Sequence, residues 1–258
     1  MKKLITGFVR YVIDYVDIYL SGINQLLRHA APMTKGVLLD VGCGRKPYEA
    51  IFKPFVSEYI GIENETTYVE TADAESSAAD YYYDGSRLPF DDSSFDTIIS
   101  VSVFEHTPDP QFLFKEMTRV LKHGGIMIIH VPFSFRLHEE PHDYYRFTCH
   151  ALRALCETNN LYVKDILPQG SLWTVIGHKI TTYLAFRVGR MGQIAQSINK
   201  LGMERKQTMS SRYWILPFVI PAILTTVIIA RLLERFIPVS DDCLAFMLIA
   251  EKTFNTDL

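Results

Sequence analysis

Cysteine is scarce in this 258-residue chain, and the four present, Cys43, Cys149, Cys156 and Cys243, include no C-x-x-C pair. That spacing argues against a disulfide framework or a structural zinc site and makes a reducing, cytosolic compartment the default. Strong charge is lacking too. Lys and Arg number 26 against 29 Asp and Glu, a formal net charge of -3, so no overall cationic field exists with which to wrap nucleic acid. No internal repeat and no low-complexity segment is seen. The chain begins Met-Lys-Lys, but Arg10, Asp14 and Asp17 interrupt the apolar core that a signal peptide needs, and no export signal is expected.

What is present is apolar content, 48% of residues, enough for one full core with an embellishment. Residues 4–29 carry a broad helical stripe from Leu4 and Phe8 to Leu26 and Leu27, which predicts an N-terminal amphipathic helix over residues 1–30. It either packs on the domain or lies on a membrane. From Gly36 the pattern changes to short apolar runs, "GVLLDV", "EYIGIE", "FDTIISVS", "GIMIIHVPF", "LYVKDILP" and "CLAFMLIAEK", alternating with helical segments. Such alternation predicts an α/β fold with a largely parallel sheet covered on both faces. Asp109 with Pro110 starts one helix, expected to end at Gly124-Gly125, and Thr148 starts the next, with Leu152, Leu155 and Cys156 turned inward.

"LLDVGCGRKPY" ends a strand in glycines that let the backbone turn and approach a ligand at the sheet's carboxyl edge. A dinucleotide fingerprint wants a third glycine opening a helix; Arg45-Lys46-Pro47 stands there instead. Glu63 follows about twenty residues on, where a carboxylate can accept both hydroxyls of a ribose.

Further blocks are D-x-x-x-L-P-F from Asp84 to Phe90, S-F-D at Ser94 to Asp96, E-H at Glu105-His106, and R-V-L-K-x-G-G from Arg119 to Gly125. Taken in order with D-V-G-C-G and Glu63, they resemble the class I S-adenosylmethionine-dependent methyltransferases, of the methyltransferase type 11-like group. The resemblance runs from about Gly36 to Pro132. It implies a Rossmann-like sheet of seven strands, mostly parallel with an antiparallel last strand, and S-adenosyl-L-methionine as cofactor. Carried over by position, Asp40, Gly42 and Gly44 line the methionine and ribose portion, and Glu63 holds the ribose hydroxyls. Asp84 and Gly85 meet the adenine, and Ser100 to Ser102 line the sulfonium side. Each has an ordinary alternative; Asp84 before Gly85 is also a common turn pair.

The cofactor carries the reactive methyl, so the protein's task is to position a nucleophile and, for an oxygen acceptor, to take its proton. His142 is the preferred general base and His106 the second candidate, although His106 belongs to the family pattern whatever the acceptor. The loop "FSFRLHEEPHDYYRFT" supplies His138, Tyr144, Tyr145 and Arg146 as candidate acceptor contacts. "PHDYYRFT" resembles a segment of methyltransferases associated with glycan and cell-envelope pathways. His138 and His142 with nearby carboxylates come from one loop without a defined ligand motif, and no metal is expected.

Between the sixth and seventh strands lies an apolar and basic helical insertion, residues 171–238, which divides the methyltransferase domain into residues 31–170 and 239–258. It contains "YWILPFVIPAILTTVIIARLL", long enough to span a bilayer. A single crossing would put the last strand on the opposite side from the sixth, so the insertion is expected as a hairpin dipping into one leaflet, or as a lid or homodimer interface. Trp173, Tyr183, Tyr213, Trp214 and the basic excess from Lys179 to Arg235 favour the cytoplasmic face of a membrane. The expected activity is methyl transfer, O-methylation first, to a hydrophobic or lipid-linked small-molecule acceptor. The alternatives are an isoprenoid quinone-type methyltransferase and a non-catalytic S-adenosylmethionine-binding membrane module.

Overall fold

The computed structural model describes residues 17–65, 78–188, 215–237, 239 and 242–254. The chain forms two compact units: Ile23–Gln169 with Leu244–Leu258, and Met1–Gly22 with Gly170–Cys243.

The larger unit is built on seven strands: β1 (Val37–Val41), β2 (Glu58–Asn64), β3 (Tyr81–Tyr83), β4 (Phe95–Val101), β5 (Leu121–Pro132), β6 (Leu161–Gln169) and β7 (Ala245–Lys252). Their order is β3-β2-β1-β4-β5-β7-β6. Every pairing from β3 to β5 is parallel, and β7 runs antiparallel to both neighbours. The mostly parallel sheet with one antiparallel strand is the architecture the sequence predicts. Burial on both faces explains the unbroken apolar runs: Leu38, Leu39, Val41, Ile98, Ile99, Ile128 and Ile129 are all inside. Chain direction across the sheet reverses between β1 and β4, and an open α/β sheet holds ligands outside its carboxyl edge at such a point.

Helix α1 spans Ile18–Ala30, with the Asp17 carboxylate accepting the backbone N–H groups of Tyr19 and Leu20, both at 3.0 Å. The earlier part of the predicted N-terminal helix lies outside the described residues. Helix α2 (Glu49–Phe52) is a single turn. Helix α3 (Pro110–Val120) starts as its sequence indicates: Asp109 Oδ1 accepts the Phe112 N–H at 3.0 Å, and Leu113, Phe114, Met117 and Val120 are buried. It ends at Val120 rather than at the glycines. Leu121 turns extended to pair with Phe95, so Gly124 and Gly125 fall within β5. Thr148 caps helix α4 (Cys149–Thr158) through Ala151 N–H, and Leu152, Leu155 and Cys156 face inward.

One family block proves to be a clasp. The Arg119 guanidinium donates to the carbonyls of Leu88 (2.9 Å) and Phe90 (2.8 Å) and pairs with Glu116 (2.8 Å) and Asp92 (2.7 Å). Glu116 in turn accepts the Leu88 N–H at 3.0 Å. L-P-F and R-V-L-K are therefore two halves of one partly buried polar joint that fixes the loop before β4 onto α3.

In the smaller unit, helices α5 (Leu172–Thr182) and α6 (Leu216–Phe236) pack antiparallel, with a π-helical turn Tyr183–Val188 continuing α5. Trp173 Nε1–H donates to Ile237 O at 2.7 Å at one end. Further along, Gly177 faces Ala230 so closely that a Cβ added to Gly177 would stand 2.7 Å from the alanine methyl. Val219, Ile223, Val227 and Ala230 form the buried stripe of α6. On the other side Phe218 and Phe236 are 70% and 73% exposed, with Ile228, Ile229 and Leu232 between them. Pro221 sits inside the helix. Pro217–Phe236 is long and apolar enough to cross a membrane, and among the described residues it is the one helix that is.

Candidate functional site

A cavity of about 400 Å³ opens at the carboxyl edge of β1, β2 and β3, within the larger unit. Three of its walls come from strand ends: Gly42 after β1, Glu63 and Asn64 on β2, and Tyr83, Asp84 and Gly85 at β3. The fourth comes from the segment after β4, with Val103, His106, Thr107 and the start of α3 to Phe112 and Leu113, and His142 and Tyr144 reach in from the loop after β5.

The glycine turn is shaped by contact. Gly42 has φ +77, and a Cβ there would lie 2.3 Å from a Val103 methyl, so only glycine lets β1 turn beside the cavity. Glu63 Oε2 accepts the Gly44 N–H at 2.8 Å and Oε1 the Asn64 N–H at 3.2 Å. Burial raises the Glu63 carboxyl from its ordinary value, opposed by those two backbone donors. Asp84 closes the turn before Gly85, its Oδ1 accepting from the Ser86 N–H at 3.0 Å and from the Ser86 hydroxyl. These bonds hold the Asp84 carboxyl below its usual value.

Asp40, Gly44, Ser100 and Ser102, also predicted around the cofactor, are not among the residues that line the cavity. Asp40 is buried and accepts the Tyr59 hydroxyl at 2.5 Å, and burial pushes its carboxyl up to about 7. Ser100 is buried and donates to Val41 O at 3.1 Å. Ser102, with φ 56, places its hydroxyl 3.3 Å from His130 Nδ1, and His130 Nε2 in turn meets Gln169 Oε1 at 2.7 Å.

On the acceptor side, His142 Nδ1 lies 3.0 Å from the Tyr144 hydroxyl. His106 Nδ1–H donates to His142 O at 2.7 Å, which ties the segment after β4 to the loop after β5. His138 stands against His106, the two Nε2 atoms 3.2 Å apart. Arg146 turns inward to Asp143, at 2.8 Å through one of its two contacts, and also caps the carbonyl of Arg136. The Arg146 guanidinium holds the Asp143 carboxyl far below the carboxylate range. Tyr145 donates to Pro108 O at 3.0 Å. Arg146 and Tyr145 thus brace the loop, while His142 and Tyr144 face the cavity. Asn64, Tyr83, Thr107 and Phe112 join the wall without having stood in any recognisable pattern. Glu105 was legible only as half of the E-H pair; it is fully buried, and burial pushes its carboxyl up to about 8.

Strand order, the glycine turn after β1 and an acidic end to β2 define a class I methyltransferase architecture. Residues 39–129 match the family model described as methyltransferase domain. The chain is similar to an uncharacterized methyltransferase of Mycobacterium leprae (strain TN), 36% identical over 116 residues, covering 44% of this chain and 41% of that protein. It therefore spans about two fifths of the length of the curated relative. A chain in the complex of the Haloferax volcanii Trm112 methyltransferase activator superposes with a TM-score of 0.53 at 16% identity, covering 91% of this chain and 90% of that one. The [4+2]-cyclase SpnF superposes with 0.54 at 16% identity over 90% and 80% of the two chains, so the fold alone does not fix the reaction.

Proposed function

We propose that the protein transfers a methyl group from S-adenosylmethionine to a hydroxyl of a hydrophobic or lipid-linked acceptor, in glycan or cell-envelope biosynthesis, at the cytoplasmic face of a membrane. The observation that carries the reading is one cavity lined by Glu63 and Asp84 at the strand ends and by His106 and His142 from the segments after β4 and β5. Its volume suits a nucleoside-sized ligand. Glu63 holds the ribose hydroxyls, Asp84 with Gly85 meets the adenine, and Gly42 and Gly44 bring backbone close to the methionine portion. Bound there, the cofactor supplies a methyl activated by a positively charged sulfur. His142, with Nδ1–H donated to the Tyr144 oxygen, presents Nε2 to take the acceptor's hydroxyl proton. His106 positions His142 through its backbone carbonyl.

Membrane attachment is supported by the exposed apolar side of α6, from Phe218 to Phe236. The insertion also leaves and re-enters the larger unit at one point, where the Leu244 N–H donates to Gln169 O at 3.0 Å, which suits a hairpin entering one leaflet and does not suit a single crossing. The test is to incubate the protein and a membrane extract with methyl-labelled S-adenosylmethionine and identify by mass what gains a methyl. Label in an organic-soluble lipid or lipid-linked glycan is expected, and His142→Ala should lower its rate about 100-fold, the size of a general-base contribution. Label confined to small water-soluble metabolites overturns the membrane acceptor. Cofactor binding without transfer overturns the enzyme.

A further inference from the structure

His106 Nε2 and His138 Nε2 face each other at 3.2 Å. His106 Nδ1–H donates to His142 O at 2.7 Å, and His138 Nδ1 faces Asp143 Oδ2 at 3.2 Å without a hydrogen bond between them. A neutral imidazole carries one proton. Placed on Nδ1, where the acceptors are a carbonyl and a carboxylate, that proton leaves both Nε2 lone pairs aimed at the same space. Moving either proton to Nε2 would set an Nδ1 lone pair against an oxygen. Beside them lies Glu105, 0% exposed, its Oε1 3.9 Å from both Nε2 atoms, and neither of its carboxylate oxygens has a hydrogen-bond partner among the described residues. A buried carboxylate without a partner is costly.

We propose that Glu105, His106 and His138 bind one divalent transition-metal ion of the zinc class. Zinc lies about 2.0–2.1 Å from histidine nitrogen, which sets tetrahedral donors about 3.3 Å apart. The two imidazoles already stand at that spacing, and Glu105 reaches it by a shift of roughly half an ångström. The ligand atoms of the three residues all lie within 4.8 Å of one another. The His106 imidazole has the outer hydrogen bond that fixes a metal-binding tautomer, and a carboxylate faces Nδ1 of His138. Two nitrogens and one oxygen select zinc, iron or cobalt over calcium and magnesium, which take oxygen throughout. Glu139 Oε2, 3.7 Å from His106 Nε2 and exposed, is a fourth donor within reach, or it yields that position to an acceptor oxygen. That last use rests on the methyl-transfer reading; the binding does not. The sequence expectation of no metal had paired His138 with His142, whereas the structure turns His138 toward His106, which comes from a different segment.

The experiment strips the full-length protein with a chelator and titrates it with Co²⁺, then with Zn²⁺ in competition against a chromophoric chelator. One equivalent, with visible Co²⁺ bands that Zn²⁺ abolishes, is expected. Affinity should fall at least about 100-fold in His138→Gln and Glu105→Gln, about 10-fold in Asp143→Asn, which removes the carboxylate facing His138 Nδ1, and not in His150→Gln, an exposed histidine on α4. Metal-free Glu105→Gln should melt no lower than the wild type, since it removes a buried carboxyl whose oxygens have no hydrogen-bond partner among the described residues. Should it fail to fold, His138→Gln decides. No saturable binding to folded protein, or binding unchanged in His138→Gln, overturns the proposal, whatever the activity assay reads.

Discussion

The backbone N–H of Leu244 donates to the carbonyl of Gln169 across 3.0 Å, so the two ends of the segment from Gly170 to Cys243 meet as neighbours. This is the ladder of β6 with β7 continued by one further bond. Replacing residues 170–243 by a short Gly-Ser linker should leave the sheet intact, with S-adenosylmethionine affinity within about 3-fold of the full chain, because the closing geometry is already that of adjacent strands. Calorimetric titration and membrane sedimentation check it together. The shortened protein should bind the cofactor and stay in the supernatant, and one that still pellets with membranes would remove the insertion from the attachment argument.

Glu63 should govern cofactor affinity. Its carboxylate lines the cavity and also accepts the Gly44 N–H, so Glu63→Gln weakens both the ribose contact and the glycine turn. Hydrogen bonds to a charged group contribute roughly 1.5–3 kcal/mol, which corresponds to a loss of about 10- to 100-fold in affinity. Titration with S-adenosylhomocysteine measures it without turnover. An unchanged dissociation constant would place the ribose elsewhere.

Arg119 is a stability residue beside the site. Removing its guanidinium strands the carbonyls of Leu88 and Phe90 and leaves the nearly buried Glu116 without its partner. Leaving a partly buried charged group without its hydrogen bonds costs about 1.5–3 kcal/mol. Arg119→Ala should therefore lower the urea midpoint sharply, and Arg119→Lys, which keeps the charge but not the fork, should recover part of it. A variant with the wild-type midpoint would show that the clasp contributes nothing.

His130 predicts a pH dependence. Burial lowers its imidazole from 6.5 to about 4, while the unfolded chain titrates near the ordinary value. Between those pH values the unfolded state binds a proton that the native state does not. The stability present above pH 6.5 is thus lost as the pH falls toward 4, on the order of 3 kcal/mol in all. His130→Gln should flatten this part of the profile. Melting temperatures from pH 7 to pH 4.5 measure it, and parallel curves for the two proteins would refute the assignment.

Much of the fold was legible because parallel strands buried on both faces leave long apolar runs: β1, β2 and β4 to β7 are those runs. Strand β3 was not, since three consecutive tyrosines at an edge neither alternate nor form an apolar block. The end of α3 was misplaced because the glycines read as a stop, whereas pairing of Leu121 with Phe95 ends the helix earlier. In the site, Gly42, Glu63, Asp84 and Gly85 stood in ordered blocks and all face the cavity. Asn64, Tyr83, Thr107 and Phe112 reach the wall only because strand ends and α3 converge there. The facing of His106 and His138 depends on how the loop after β5 folds back, which no spacing in the chain reveals.

Strand β7 pairs on one side with β5 and on the other with β6, yet it follows the insertion in the chain. During synthesis the facing edges of β5 and β6 therefore stay unpaired until the whole insertion has been made, and such open edges bind other chains. The apolar helix α6 emerges into that interval. Phe218 and Phe236 are thus already present on the nascent chain before the strand that closes the sheet has been made.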